Sequence, residues 1–128
     1  MATAAQYAAT PRAALAVLSA ANTNRDGTTG TYVTVFTAGA SGSRIDDIRI
    51  NAASNTTAGV VRLFLHDGTN GRLLQEVMVT ATTPSTTVQA FGTSLLNLGL
   101  VLPTGYSLRA STHNAETFHV LVTRAGDF

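Results

Sequence analysis

The sequence predicts an all-β fold: an antiparallel β-sandwich or jelly roll of about seven to eight strands, with an extended N-terminal arm. Three observations predict it. From Thr31 onward, short β-branched or aromatic runs recur, each bounded by clusters of Gly, Asn, Asp, Pro or Ser. Only 12% of the residues are charged, and Thr, Ser, Asn and Gly stand where a helical surface would carry charge. No long amphipathic stripe of helical period is present, and 128 residues without a Cys suffice to bury a core unaided by disulfides. The chain divides into an arm over residues 1–21 and a sandwich domain over 22–128.

The elements follow in order. Ala2 to Ala21 is Ala-rich, which favours helix by propensity, but Thr10-Pro11 interrupts it. Leu15 to Ala20 is read as a strand or as an arm docking on a neighbour, with helix as the alternative. Ala13 to Ala21, "AALAVLSAA", imitates a signal peptide after Arg12, yet it is diluted by Ala and preceded by one positive side chain, so an arm is expected. Thr31 to Thr37 sets Val33 and Val35 against Tyr32, Thr34 and Phe36. In Arg44 to Ala52, Ile48 and Ile50 share a face opposite Asp47 and Arg49, while Ile45 is out of phase, which predicts a bulge near Asp46. Val60 to His66 places Val61, Leu63 and Leu65 inward and Arg62, Phe64 and His66 outward. Asp67-Gly-Thr-Asn-Gly71 predicts a hairpin loop of about five residues. The run Arg72 to Thr80 then turns Leu73, Val77 and Val79 inward and Glu76 outward. "VQAF" (88–91) reads as a short strand, and "SLLNLGLVLP" as an apolar run stopped by Pro103. Tyr106 to Ser111 and Phe118 to Ala125 close the chain as a pair, the second with Phe118, Val120 and Val122 inward.

Two segments carry metal-ligand residue types. "NTNRDGTTG" (22–30) spaces Asn22, Asn24 and Asp26 as the first half of a calcium loop, with Gly27 at the bend. The bidentate acid such a loop needs at its twelfth position is here Val33, and one carboxylate with two amides binds a divalent ion weakly. A turn held by Asx side chains, with Gly27 and Gly30 supplying positive φ, is the favoured reading. "HNAETFH" offers His113, Glu116 and His119, three zinc-ligand types. In a hairpin, however, the first two sit in the loop and His119 points outward from the following strand, so no common site is expected and no cofactor is assigned.

Other chemistries are weakly supported. No G-x-S-x-G elbow is present, and without Cys there is no thiol nucleophile. Asp46 and Asp47 are adjacent on a strand and point apart, so surface pairing with Arg44 or Arg49 is expected in place of a glycosidase dyad. A net charge of +1 and the absence of Lys give no broad field for nucleic acid or anionic membrane. Arg49, Arg62 and Arg109 would line one sheet face as a neutralised mosaic. No apolar run approaches the roughly 18 to 20 residues of a transmembrane helix. With no Trp, and Tyr7, Tyr32 and Tyr106 scattered, an aromatic sugar platform is weakly supported.

The linked elements "ANTNRDGTTGTYVTVFTAGASGSRIDDIRI", "AGVVRLFLHDGTNGRLLQEV" and "LVLPTGYSLRASTHNAETFHVLV" resemble those of small virion proteins of tailed bacteriophages, most closely capsid decoration (cement) proteins. The resemblance runs from about Ala21 to the C-terminus and rests on turn-and-strand signatures. It implies a non-enzymatic β-sandwich that trimerises on a capsid surface after synthesis in the host cytoplasm and clamps subunits of the major capsid protein. It carries no catalytic residue. A receptor-binding, adhesin-like module of a tail fibre or baseplate is the alternative, and a sugar-binding domain with calcium in the 22–30 loop is a third.

Overall fold

Period-two alternation and frequent turn residues produce strands here and, among the described residues, no helix. The computed structural model describes residues 8–128. In chain order the strands are β1 (Thr10–Leu18), β2 (Val33–Thr37), β3 (Ser43–Ala52), β4 (Gly59–His66), β5 (Gly71–Val79), β6 (Gly92–Leu95), β7 (Leu100–Leu102), β8 (Ser107–Thr112) and β9 (Phe118–Asp127). One sheet has the order β1-β9-β3-β6, with β7 also on β3, and the other has the order β2-β8-β4-β5. The short strands β6 and β7 lie end to end along β3, at Ile48 to Asn51 and Ser43 to Ile45 respectively, so they fill one strand position.

The pairing shows how the chain is wound. The hairpin β4–β5 is innermost in sequence, followed outward by β3 with β6 and β7, then β2 with β8, then β1 with β9, all antiparallel. Four antiparallel pairs nested in this way and folded into two facing sheets make a jelly roll. Between the sheets Ile45, Ile48, Ile50, Val120 and Val122 share one buried cluster with Val35, Val61, Leu63, Leu108 and Ala110.

Several expectations change at this point. The segment assigned to the arm is, over Thr10–Leu18, a strand of the sandwich, the first of the two readings given to Leu15 to Ala20, and it pairs with β9 from Thr10↔Asp127 to Leu18↔Phe118. Ala16 and Leu18 face the core while Leu15 and Val17 face out, a period of two that small Ala side chains obscure in the sequence. The helix alternative is therefore overturned for these residues, and the sandwich begins before residue 22. Residues 1–7 of the arm, Tyr7 included, lie outside the described residues. The 88–91 run is not a strand. Extended pairing starts at Gly92 and breaks again before Leu100, where Asn97 and Gly99 take positive φ of 56° and 59°.

Other details match the sequence reading. The bulge expected near Asp46 is present as register shifts on both sides of Asp47. The β4–β5 hairpin forms, and because Gly71 pairs with His66 its loop is residues 67–70. Asp67 holds that loop by accepting the Thr69 and Asn70 amides at 2.8 and 2.6 Å. Leu73 is a correction: the register slips between Leu63 and Phe64, placing Leu73 opposite Phe64 on the outer face, where it is partly exposed.

Candidate functional site

The largest departure from the expected pattern is on β4, where Arg62 and Phe64, predicted outward, are both buried. They do point away from the inter-sheet core, but the chain between β1 and β2 folds back over them. Ala21 bridges to Thr112 beside β8, the Asn22 amide donates to the Thr112 carbonyl at 2.8 Å, and β2 begins with Val33 opposite Ala110. Residues 22–31 thus leave and rejoin the sheet two residues apart along β8, which makes them an Ω-loop. Asn22 closes its neck by donating from Nδ2 to the Thr31 carbonyl at 3.0 Å.

The loop lies across the outer face of the β2-β8-β4-β5 sheet as far as β5. Arg25 Nε donates to Glu76 Oε2 at 2.8 Å, and Gly27 meets the backbone at Gly71. Tyr32 stacks edge-on against Phe64 with ring centroids 4.8 Å apart. Under this cover Arg62 is fully buried, with an acceptor for each of its nitrogens: Nε donates to Glu76 Oε2 at 2.9 Å, Nη1 to the Asn22 carbonyl at 3.3 Å, and Nη2 to His113 Nδ1 at 3.2 Å. Arg25 first and Arg62 second hold the Glu76 carboxyl below its usual range.

The calcium pattern is occupied by the loop's own donors. Asn22 Oδ1 accepts from the Asn24 amide and side chain. Asp26 accepts the Thr28 and Thr29 amides at 3.0 and 2.9 Å, the Thr29 hydroxyl at 2.6 Å and the Tyr32 hydroxyl at 3.3 Å. These bonds, the Thr29 hydroxyl foremost, push its carboxyl far below the usual value. The zinc set is dispersed. His113 serves Arg62, Glu116 Oε2 accepts from the Thr57 amide and hydroxyl, and His119 is exposed on β9 in the other sheet. Among the described residues no three His, Asp or Glu side chains gather as a metal site.

The acid pair and the arginine face are also resolved. Asp46 is buried and pairs with Arg44 at 3.1 Å, whereas Asp47 binds Arg124 at 2.9 Å, so the pairing is not with Arg49 and is only partly at the surface. Arg49 belongs to β3, bonding Asn51 and Ser94, so it cannot share a face with Arg62 and Arg109 of the opposite sheet.

Two surface features remain as sites. One is an apolar strip on the outer face of the other sheet. Leu15 and Val17 of β1 are 75% and 51% exposed, and Leu15 pairs across to Leu121, which in turn pairs with Arg49. Ala13, Ala14, Leu15, Leu121, Val122 and Thr123 outline a depression of about 450 Å³ there. The second is a polar cleft of about 330 Å³ between the Ω-loop and the β4–β5 hairpin. Neither feature was visible in the sequence. The signal for the buried outer face was Phe64 itself, an aromatic in the phase assigned to solvent. No protein-family model matches the chain, and no curated protein matches it.

Proposed function

We propose that this chain is a structural, non-enzymatic virion protein that decorates and stabilises a phage capsid, binding as a homotrimer between subunits of the major capsid protein. The observation that carries the reading is the apolar strip of Leu15, Val17 and Leu121 on one outer face, while the protein's own loop crosses part of the other. Burying one such side chain stabilises a contact by roughly 1.5 to 3 kcal/mol, too little alone but additive over repeated copies on a lattice. A surface without Lys and rich in Thr loses little side-chain entropy when immobilised. The resemblance to decoration proteins supplies the partner, and neither nucleic acid nor membrane is among the proposed ones.

Light scattering after size-exclusion chromatography, followed by co-sedimentation with expanded capsids, tests the proposal. A mass of three chains and saturable co-sedimentation are expected. A monomer that leaves capsids bare while binding host cells or purified tails would overturn it in favour of the adhesin reading.

A further inference from the structure

The outer face of the β2-β8-β4-β5 sheet carries two arginines in different states. Arg62 has an acceptor for each of its nitrogens. Arg109, on β8 and paired in register with Phe64, lines the polar cleft, and its Nε is buried without an acceptor among the described residues. A buried guanidinium N–H left unbonded loses its hydration with no return, which a native site avoids unless something else supplies the acceptor.

The cleft wall includes His66, Tyr32, Thr28 and Thr69, with Gly27, Gly30 and Gly71 giving close access to backbone. His66 Nδ1 accepts the Gly68 amide at 3.1 Å, which leaves its Nε2–H as the ring's donor. The two nearby acids do not meet Arg109. Asp26 is taken by Thr28, Thr29 and Tyr32, and Asp67 by Thr69 and Asn70. Arg72, the residue after Gly71, donates to the Gly71 carbonyl.

We propose that this cleft binds a carboxylate, held at its floor by the Arg109 guanidinium and from the side by His66 Nε2–H. A planar carboxylate matches the paired Nη1–H and Nη2–H edge of a guanidinium, and the site is open enough to accept either a small free carboxylate or the side chain of a Glu or Asp on an adjoining protein. It is independent of the apolar strip, which lies on the opposite sheet.

The test is NMR titration of the full chain, following backbone amides and the Arg Nε–H signals at constant ionic strength. One arm uses sodium acetate and the other a capped tetrapeptide with a single central Glu, each against a sodium chloride control. Saturable shifts at Arg109 Nε–H and the Gly71 amide are expected in at least one arm; the peptide alone indicates a docked acidic side chain, and acetate alone a free ligand. Arg109→Gln abolishes saturation, His66→Ala weakens it about tenfold, and Arg72→Gln leaves it intact. If Arg109→Gln unfolds, the His66→Ala titration decides alone. No saturable shift in either arm, the same shifts with chloride, or undiminished binding in both cleft variants overturns the proposal.

Discussion

Arg62 shows how far a single side chain can depart from the rule that governs its position. Alternation along β4 assigns it to solvent, and it does face away from the inter-sheet core, yet it is fully buried beneath the Ω-loop. Burying a cation there is tolerable because Glu76, the Asn22 carbonyl and His113 together accept its N–H groups. Arg62→Ala removes the donors and leaves those acceptors and a void. We expect a loss of about 3 to 5 kcal/mol in urea unfolding, with Arg62→Met milder because it refills the space. Equal losses for the two variants would mean that packing contributes nothing at this site. Acid should act on the same scale. Asp26, Asp47, Asp67, Glu76 and Asp127 all hold their carboxyls below the usual range through hydrogen bonds and arginine partners. With folded-state values depressed, the unfolded chain takes up more protons as pH falls. The stabilisation is therefore complete above the ordinary carboxylate range and is lost on descending through about pH 4 and below. The thermal midpoint should be nearly flat between pH 7 and 5.5 and decline at lower pH. Asp26→Asn should lower stability at pH 7 and reduce the slope in acid; a midpoint that holds or rises down to pH 3 would contradict this account.

At the scale of the element, the Ω-loop is the feature that sequence reading saw only in part. Its turn chemistry was legible: Asn22, Asp26, Gly27 and Gly30 do the local work their residue types imply, with φ of 79° and 95° at the two glycines. Its docking was not, because spacing along a chain reports dihedral preferences and says nothing of which distant surface a loop will cover. Strand phases were legible wherever one face met the core and the other water, as in Ile48 and Ile50 against Arg49. They failed at Arg62 and Phe64, where both faces are buried, and at Phe36 and Leu73, where bulges reverse the phase. The seat of the loop is the contact between Gly27 and Gly71. A Cβ on Gly27 would stand 2.4 Å from the Gly71 carbonyl oxygen, and its φ is one that L side chains adopt at a cost of roughly 1 to 2 kcal/mol. Gly27→Ala should therefore destabilise by about 2 kcal/mol or more, lowering the thermal midpoint by on the order of 6 °C. Hydrogen exchange should rise across 22–31. An unchanged exchange pattern would show that the loop tip does not depend on this approach.

For the whole molecule, the jelly roll was readable from about seven to eight short strands, but the membership of its outermost pair was not. In β1 the inward Ala16 and outward Leu15 differ too little in polarity to declare an alternation, and only pairing with β9 sorts them. That sorting leaves an edge strand with its larger apolar residues turned to solvent, an arrangement a monomer normally blunts with charge. Here no Lys stands on it, and Arg12 is drawn away, its Nη1 bonding the Thr37 carbonyl at 2.8 Å and Asp127 at 2.9 Å. If this strip is the assembly surface, its residues contribute to association and hardly at all to the fold. The double variant Leu15→Glu with Val17→Glu should keep the monomer's unfolding free energy within about 0.5 kcal/mol, since both side chains are already exposed. Its capsid co-sedimentation should fall by more than tenfold, because two carboxylates would have to be desolvated in every copy. Val101→Glu on β7, which is 57% exposed on the opposite margin of the same sheet, serves as the control and should bind as the unaltered chain does. Loss of binding in the control alone would place the contact on the β6–β7 side. Full binding by the double variant would show that the β1 strip is not what holds the protein to its partner.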